Sequence, residues 1–296
     1  MDVERSLPFG RLATAMVTPF TADGAVDLVQ AARLAQWLVD QQGNDAIIVN
    51  GTTGEAPTTS AAEKRALIET VKAAVGERAR IVAGVGTFDT AHTVELAQQA
   101  ATAGADGLLV VTPYYSRPPQ DALVAHFQRV AEATDRPIMI YDIPHRSGVA
   151  MEPASLIELA RHPLIVAVKD AKGQPVSSAQ VMAQTGLAYY AGDDAMVLPL
   201  LAVGAVGVVG TSTHFSGAAS KAMIESFLAG RLDQALALYR RLLPVYTGVF
   251  ATQGVMLVKA GLAARGFPEW GLRAPLLPAS PAQAARFVAL LDAAGL

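Results

Sequence analysis

Cysteine is absent from all 296 residues. That excludes disulfides, thiolate metal sites, iron–sulfur clusters and cysteine nucleophiles, and it fits a reducing, cytoplasmic setting. A surplus of positive charge is also missing. Lys and Arg total 23 against 26 Asp and Glu, for a net charge of -3. A nucleic-acid or anionic-membrane binder would need a basic field, so neither partner is expected. Charged residues make up only 17% and hydrophobic ones 52%, which is too apolar for intrinsic disorder. Two acids, Asp2 and Glu4, precede any apolar run, so no signal peptide is expected. One long stretch, Ala195 to Ser220, lacks Asp, Glu, Lys and Arg. Pro199, Gly204, Gly207 and Gly210 interrupt it, which favours a buried helix–strand pair over a membrane span.

Several catalytic signatures are lacking as well. There is no Gly-x-x-x-x-Gly-Lys phosphate loop and no Gly-x-Ser-x-Gly elbow. His92, His126, His145, His162 and His214 show no His-x-His or His-Glu-x-x-His spacing, so no catalytic metal is expected.

What the chain does have is alternation. Eight short apolar runs recur: Leu12–Val17, Ala46–Asn50, Arg80–Val85, Gly107–Val111, Pro137–Tyr141, Leu164–Val168, Ala188–Ala191 and Ala205–Val209. Each is near-continuously apolar, as strands buried on both faces are. Leu28–Gln42, Ala61–Val75, Thr90–Ala103 and Asp121–Ala133 between them carry helical periodicity. Gly43, Gly76, Gly104 and Gly186 are placed to end helices in a left-handed conformation. Strand–helix alternation allows an open doubly wound sheet or a closed barrel. Eight strands without a complete Gly-x-Gly-x-x-Gly favour an α/β (β/α)8 TIM barrel. Helical patterns over Leu232–Phe250, Gly254–Ala264 and Ala282–Leu291 predict a C-terminal helical extension. We divide the chain into a barrel over 1–225 and an extension over 226–296.

Chemistry in such a barrel belongs at the C-terminal ends of the strands. Of the six lysines, Lys64, Lys72 and Lys221 fit solvated helix faces, and Lys259 reads as a helical residue whose stem can reach water. Lys169 differs, because it ends an apolar strand. A barrel interior would disfavour its ammonium form and leave a neutral amine able to attack a ketone. The alternative is a structural ion pair with Asp170 or Glu55, and spacing alone does not choose. Tyr141 ends the preceding strand and could serve as general acid and base or simply as a core residue. Arg146 offers a forked donor for a carboxylate, or is a plain surface arginine. Gly51-Thr52-Thr53-Gly54 could hold an anion on its amides or be an ordinary turn, and it leads to a capping box at Ser60 and Glu63. Asp193 and Asp194 could be metal ligands, but read more simply as a solvated turn or a helix cap.

In order and spacing, Gly51-Thr52-Thr53-Gly54-Glu55, Val111-Thr112-Pro113-Tyr114-Tyr115, Tyr141-Asp142-Ile143-Pro144-x-Arg146, Val168-Lys169-Asp170 and Gly192-Asp193-Asp194 resemble the dihydrodipicolinate synthase / N-acetylneuraminate lyase family. The wording is similar to actinobacterial members that condense pyruvate with aspartate semialdehyde in lysine and diaminopimelate biosynthesis. The resemblance implies a class I aldolase in which Lys169 forms an imine with pyruvate and no cofactor takes part. It implies that the Thr52 and Thr53 amides hold the pyruvate carboxylate and that Thr53, Tyr141 and Tyr115 relay protons. Arg146 would grip the second substrate's carboxylate, and Gly192 and Val209 would line the site. Tyr115 would reach into a neighbouring subunit, so a homo-oligomer follows, a dimer of dimers in many members. A 2-keto-3-deoxy sugar-acid aldolase and a non-catalytic barrel are the competing readings. His145 and the Gly210–His214 wording depart from the usual pattern around the second substrate. Ala56, Ala61, Lys64, Phe88 and His92 stand where lysine-inhibited members carry effector ligands, so weak or no lysine inhibition is expected.

Overall fold

Eight parallel strands close on themselves in chain order, each paired with the next and the last with the first. They are β1 Leu12–Ala15, β2 Ala46–Val49, β3 Arg80–Gly84, β4 Gly107–Val111, β5 Ile138–Asp142, β6 Ile165–Asp170, β7 Ala188–Ala191 and β8 Gly207–Gly210. The structure is a computed structural model that describes residues 7–296, so the acids of the N-terminal segment lie outside the described residues.

The apolar runs are continuous because each strand is buried twice. Ala13, Ile48, Val82, Leu109, Met139, Ala167, Tyr190 and Val209 fill the barrel interior. Their neighbours Leu12, Ile47, Ile81, Leu108, Ile140, Val168 and Val208 pack outward against the helices. At the N-terminal mouth Phe9 closes the interior, and the Tyr190 hydroxyl donates to the Gly10 carbonyl at 2.9 Å.

The outer ring consists of α1 Leu28–Asp40, α2 Ala61–Val75, α3 Thr90–Thr102, α4 Gln120–Glu132, α5 Pro144–Ser147, α6 Pro153–Leu159, α7 Pro175–Met182, α8 Val197–Leu201 and α9 Thr213–Leu228. The capping box forms as expected, with Ser60 and Glu63 exchanging hydrogen bonds at the start of α2. Gly43, Gly76 and Gly104 take positive φ, whereas Gly186 does not. The uncharged stretch from Ala195 is α8, β8 and the start of α9. Among the described residues no helix is long and apolar enough to cross a membrane.

Beyond α9 come α10 Leu232–Gly248, α11 Gly254–Ala264 and α12 Pro281–Ala293. The chain passes from α10 to α11 at the C-terminal mouth of the barrel, where residues 250–254 meet the strand ends.

Candidate active site

Strand register places the central pair. Tyr141 on β5 stands directly opposite Lys169 on β6. The Lys169 amine lies 4.2 Å from the centroid of the Tyr141 ring. Lys169 sits within β6 rather than just past its end, and its residue is only 4% exposed. Desolvation holds its amine down at about 8, against the pull of Asp194 and with help from Arg146. The ion-pair alternatives fall away. Asp170 turns outward and accepts the Ser178 hydroxyl and the Lys172 amide. Glu55 is taken by Lys259.

Gly192 follows β7, where any side chain would crowd Lys169. A Cβ there would stand 2.9 Å from the Lys169 Cγ and 3.1 Å from the Ala171 nitrogen. The close approach lets the β7 end press against the lysine stem.

A cavity of about 340 Å³ opens over this pair. Thr52, Thr53, Tyr141, Arg146, Lys169 and Gly192 all line it, so six of the eight predicted site residues converge. Neither the Thr52 nor the Thr53 amide donates to a protein acceptor among the described residues, so both are free to hold an anion. The Arg146 guanidinium stands at the cavity rim in α5, beside His145.

Three residues sit differently from their sequence-based expectation. Thr52 accompanies Tyr141 along the walls of two adjoining cavities, whereas Thr53 lines only this one. The Thr53 hydroxyl instead lies 3.4 Å from the hydroxyl of Thr211, because successive residues of the turn point apart. Val209 is fully buried in the barrel interior opposite Ala13 and is not among the residues lining the cavity; Thr211, two residues on, faces it. Lys259 does not reach water. It is 3% exposed and donates to Glu55 at 2.6 Å and to the Gly271 carbonyl at 2.6 Å.

Tyr115 is absent from this cavity. It is 93% exposed, at a φ of 76° that a tyrosine adopts only under constraint. Sequence reasoning missed the far wall, Phe250, Thr252, Gln253 and Gly254. They lie about 80 residues beyond Lys169 in an unremarkable helix–helix connection, where no local signal marks them. Burial pushes the Tyr141 phenol above its ordinary value, so it remains a proton donor. Among the described residues no group of three or more His, Asp or Glu is placed to hold a metal ion.

A closed barrel bearing a buried lysine with a lowered pKa beside a phenol is the arrangement of an imine-forming enzyme, and residues 8–294 match the dihydrodipicolinate synthetase family. The chain belongs to that family. Within it, the chain is 60% identical to the 4-hydroxy-tetrahydrodipicolinate synthase of Acidothermus cellulolyticus, covering 98% of this chain and 94% of that one. It is equally 60% identical to the Cutibacterium acnes enzyme of the same name, over 96% and 97% of the two chains. A dihydrodipicolinate synthetase family structure, DHDPS from Cyanidioschyzon merolae with lysine bound, superposes with a TM-score of 0.95 at 39% identity, covering 98% and 99% of the chains.

A second cavity, about 350 Å³, adjoins the first and shares Thr52 and Tyr141 with it. Ala56, Lys64, Phe88 and His92 line it, whereas Ala61 does not. The Lys64 ammonium is already occupied by the Ala56 carbonyl and by the Thr59 carbonyl and hydroxyl.

Proposed function

We propose that this protein is a 4-hydroxy-tetrahydrodipicolinate synthase, condensing pyruvate with L-aspartate 4-semialdehyde through an imine on Lys169. The observation that carries the reading is the buried Lys169 amine, held at about 8 against the Tyr141 ring within an anion-ready cavity. Near neutral pH a useful fraction of it is the nucleophilic free amine.

Pyruvate enters with its carboxylate on the Thr52 and Thr53 amides. The Lys169 nitrogen adds to the ketone carbon, and Tyr141 supplies a proton to the departing oxygen. Thr52, which lines the cavity with Tyr141, passes the proton onward. Tyr115, projecting from this chain, completes the relay in a second copy, so the active unit is a homo-oligomer. Loss of a methyl proton converts the imine to an enamine, whose carbon attacks the aldehyde. Arg146 holds the carboxylate of that second substrate. Ring closure then displaces the lysine. The covalent imine is itself the electron sink, so no cofactor is invoked. We further propose that the chain beyond α9, residues 229–296, acts as an extension of the barrel that walls the site, with Phe250 to Gly254 in contact with substrate; α9 is one helix to Leu228, so the boundary expected at 225/226 moves to its end. We place the enzyme in the cytoplasm, in keeping with the absence of cysteine.

Incubation with pyruvate followed by borohydride reduction is the direct test. A reduced adduct mapped to the peptide containing Lys169 is the expected result. An unlabelled Lys169 would sink the proposal. Parallel assays with aspartate semialdehyde and with 2-keto-3-deoxygluconate decide the second substrate. Turnover of only the latter would make the protein a sugar-acid aldolase.

A further inference from the structure

Three lysines are buried beside carboxylates, and they are treated differently. Lys259 contacts Glu55 at 2.6 Å, and Lys172 lies 3.5 Å from Asp142. The third, Lys169, makes no such contact. An acid placed near its stem by the chain is Asp194, two residues beyond Gly192, whose backbone packs on the Lys169 Cγ; Asp194 is fully buried in the turn after β7 and is tied elsewhere. One carboxylate oxygen accepts the Thr211 amide at 3.0 Å, and the other accepts the Ser212 hydroxyl at 2.9 Å. Thr211 itself faces the cavity, so Asp194 lies one residue behind the wall.

A buried carboxylate without a paired cation is costly to keep. The reaction makes the missing cation. The neutral amine of Lys169 forms a bond to the ketone carbon, a proton passes from nitrogen to oxygen, and the carbinolamine takes up one proton and expels water. The nitrogen is then left as an iminium with one positive charge. Loss of a proton from the adjacent methyl discharges it to the enamine. A carboxylate in contact with Lys169 would instead lock the resting ammonium.

We propose that Asp194 is the electrostatic counter-ion of the iminium on Lys169, set back by Thr211 and Ser212 so that it stabilises the charged intermediate without trapping the resting amine. This rests on the imine chemistry of the preceding section. It is a case of charge stabilisation organised before the charge appears. The fields of the two groups act on each other: Lys169 opposes the rise of the Asp194 carboxyl, which burial still pushes up to about 6. The other titratable or charged groups around the pair are Tyr141 from β5, whose ring lies 4.2 Å from the Lys169 amine, Asp193 beside Asp194, Tyr246 from α10, and Arg146 acting on Lys169.

The test compares Asp194→Asn, which removes the charge, with Ser212→Ala, which removes one hydrogen bond and keeps it. Two readouts apply. The first is the pyruvate concentration that gives half-maximal borohydride trapping on Lys169. The second is the pH profile of kcat/KM for pyruvate, which reports the free enzyme. For Asp194→Asn the trapping concentration rises by about tenfold or more. The rising limb near pH 8 moves to lower pH, because Asp194 normally raises the Lys169 value. Ser212→Ala, which keeps the charge but loosens its tether, loses far less trapping than Asp194→Asn, and its rising limb does not move to lower pH. The inference is overturned if Asp194→Asn traps normally, if its limb stays put or moves up, or if both variants lose trapping equally as they lose thermal stability. A wild-type enzyme that traps no pyruvate would remove the imine reading itself, and the counter-ion with it.

Discussion

Replacing Lys259 with methionine would remove a cation from a buried ion network that joins α11 to the Thr52–Thr53 turn. Lys259 on α11 donates to Glu55 and Gly271, and its ammonium stands 4.5 Å from the Phe20 ring centroid. Arg273 covers the same ring, at 4.4 Å, and its amide donates to the other Glu55 oxygen at 3.0 Å. Glu55 is the residue that ends the Thr52–Thr53 turn, in a left-handed conformation at φ 56°. The variant leaves a carboxylate buried with only an amide donor. Breaking a buried pair in this way costs about 3–5 kcal/mol. With about 2.1 cal/mol/K per residue of unfolding entropy, a chain of this length loses about 5–8 °C in Tm. The turn also loses its anchor, so KM for pyruvate rises more than kcat falls. Neutralising both partners, in Glu55→Gln with Lys259→Met, recovers part of the lost Tm, because no charge is then stranded. Differential scanning calorimetry of the two single variants and the double variant, with steady-state kinetics alongside, reads all of this. A Lys259→Met protein melting within about 2 °C of wild type, or a double variant as unstable as the two losses summed, would refute the reasoning.

Gly192→Ala forces a methyl against Lys169 Cγ and the Ala171 nitrogen. It lowers kcat/KM for pyruvate at least about tenfold with little change in Tm, and crystallography of the variant shows the lysine stem displaced. Tyr115→Ala and Lys169→Ala homo-oligomers are each severely impaired. Mixed oligomers regain activity, since one of two paired sites then holds both residues; failure of remixed subunits to regain any would exclude a shared site. Lysine inhibits weakly or not at all, because the Lys64 ammonium occupies the neighbouring cavity with its donors spent on Ala56 and Thr59. Half-maximal inhibition at sub-millimolar lysine would contradict this.

Much of the architecture follows from periodicity. The eight apolar runs lie on the eight strands because double burial leaves no polar alternation to obscure them. Helices α1 to α4 were legible because each spans three turns or more with one polar face. Helices α5 to α8 have four to eight residues, too short for a repeat to register. Pro144, Pro153 and Pro175 at their first positions were the available signal. At the site, Lys169 stood out because an ammonium does not belong at the end of an apolar strand.

Sequence alone thus determined the barrel and its strand-end rim, since strand and helix periodicity is written in residues close together in the chain. It marked Lys169 and Tyr141 as candidates, whereas the choice between their catalytic and structural readings came only from the family resemblance. Tertiary structure decided the pairings. Which of two adjacent threonines accompanies Tyr141 along both cavities depends on the turn's backbone. That Lys259 is locked to a glutamate 204 positions away, and that Asp194 is withdrawn from solvent behind Thr211, depends on packing between distant elements. Burial and charge partnership are properties of the folded neighbourhood, and no local pattern encodes them.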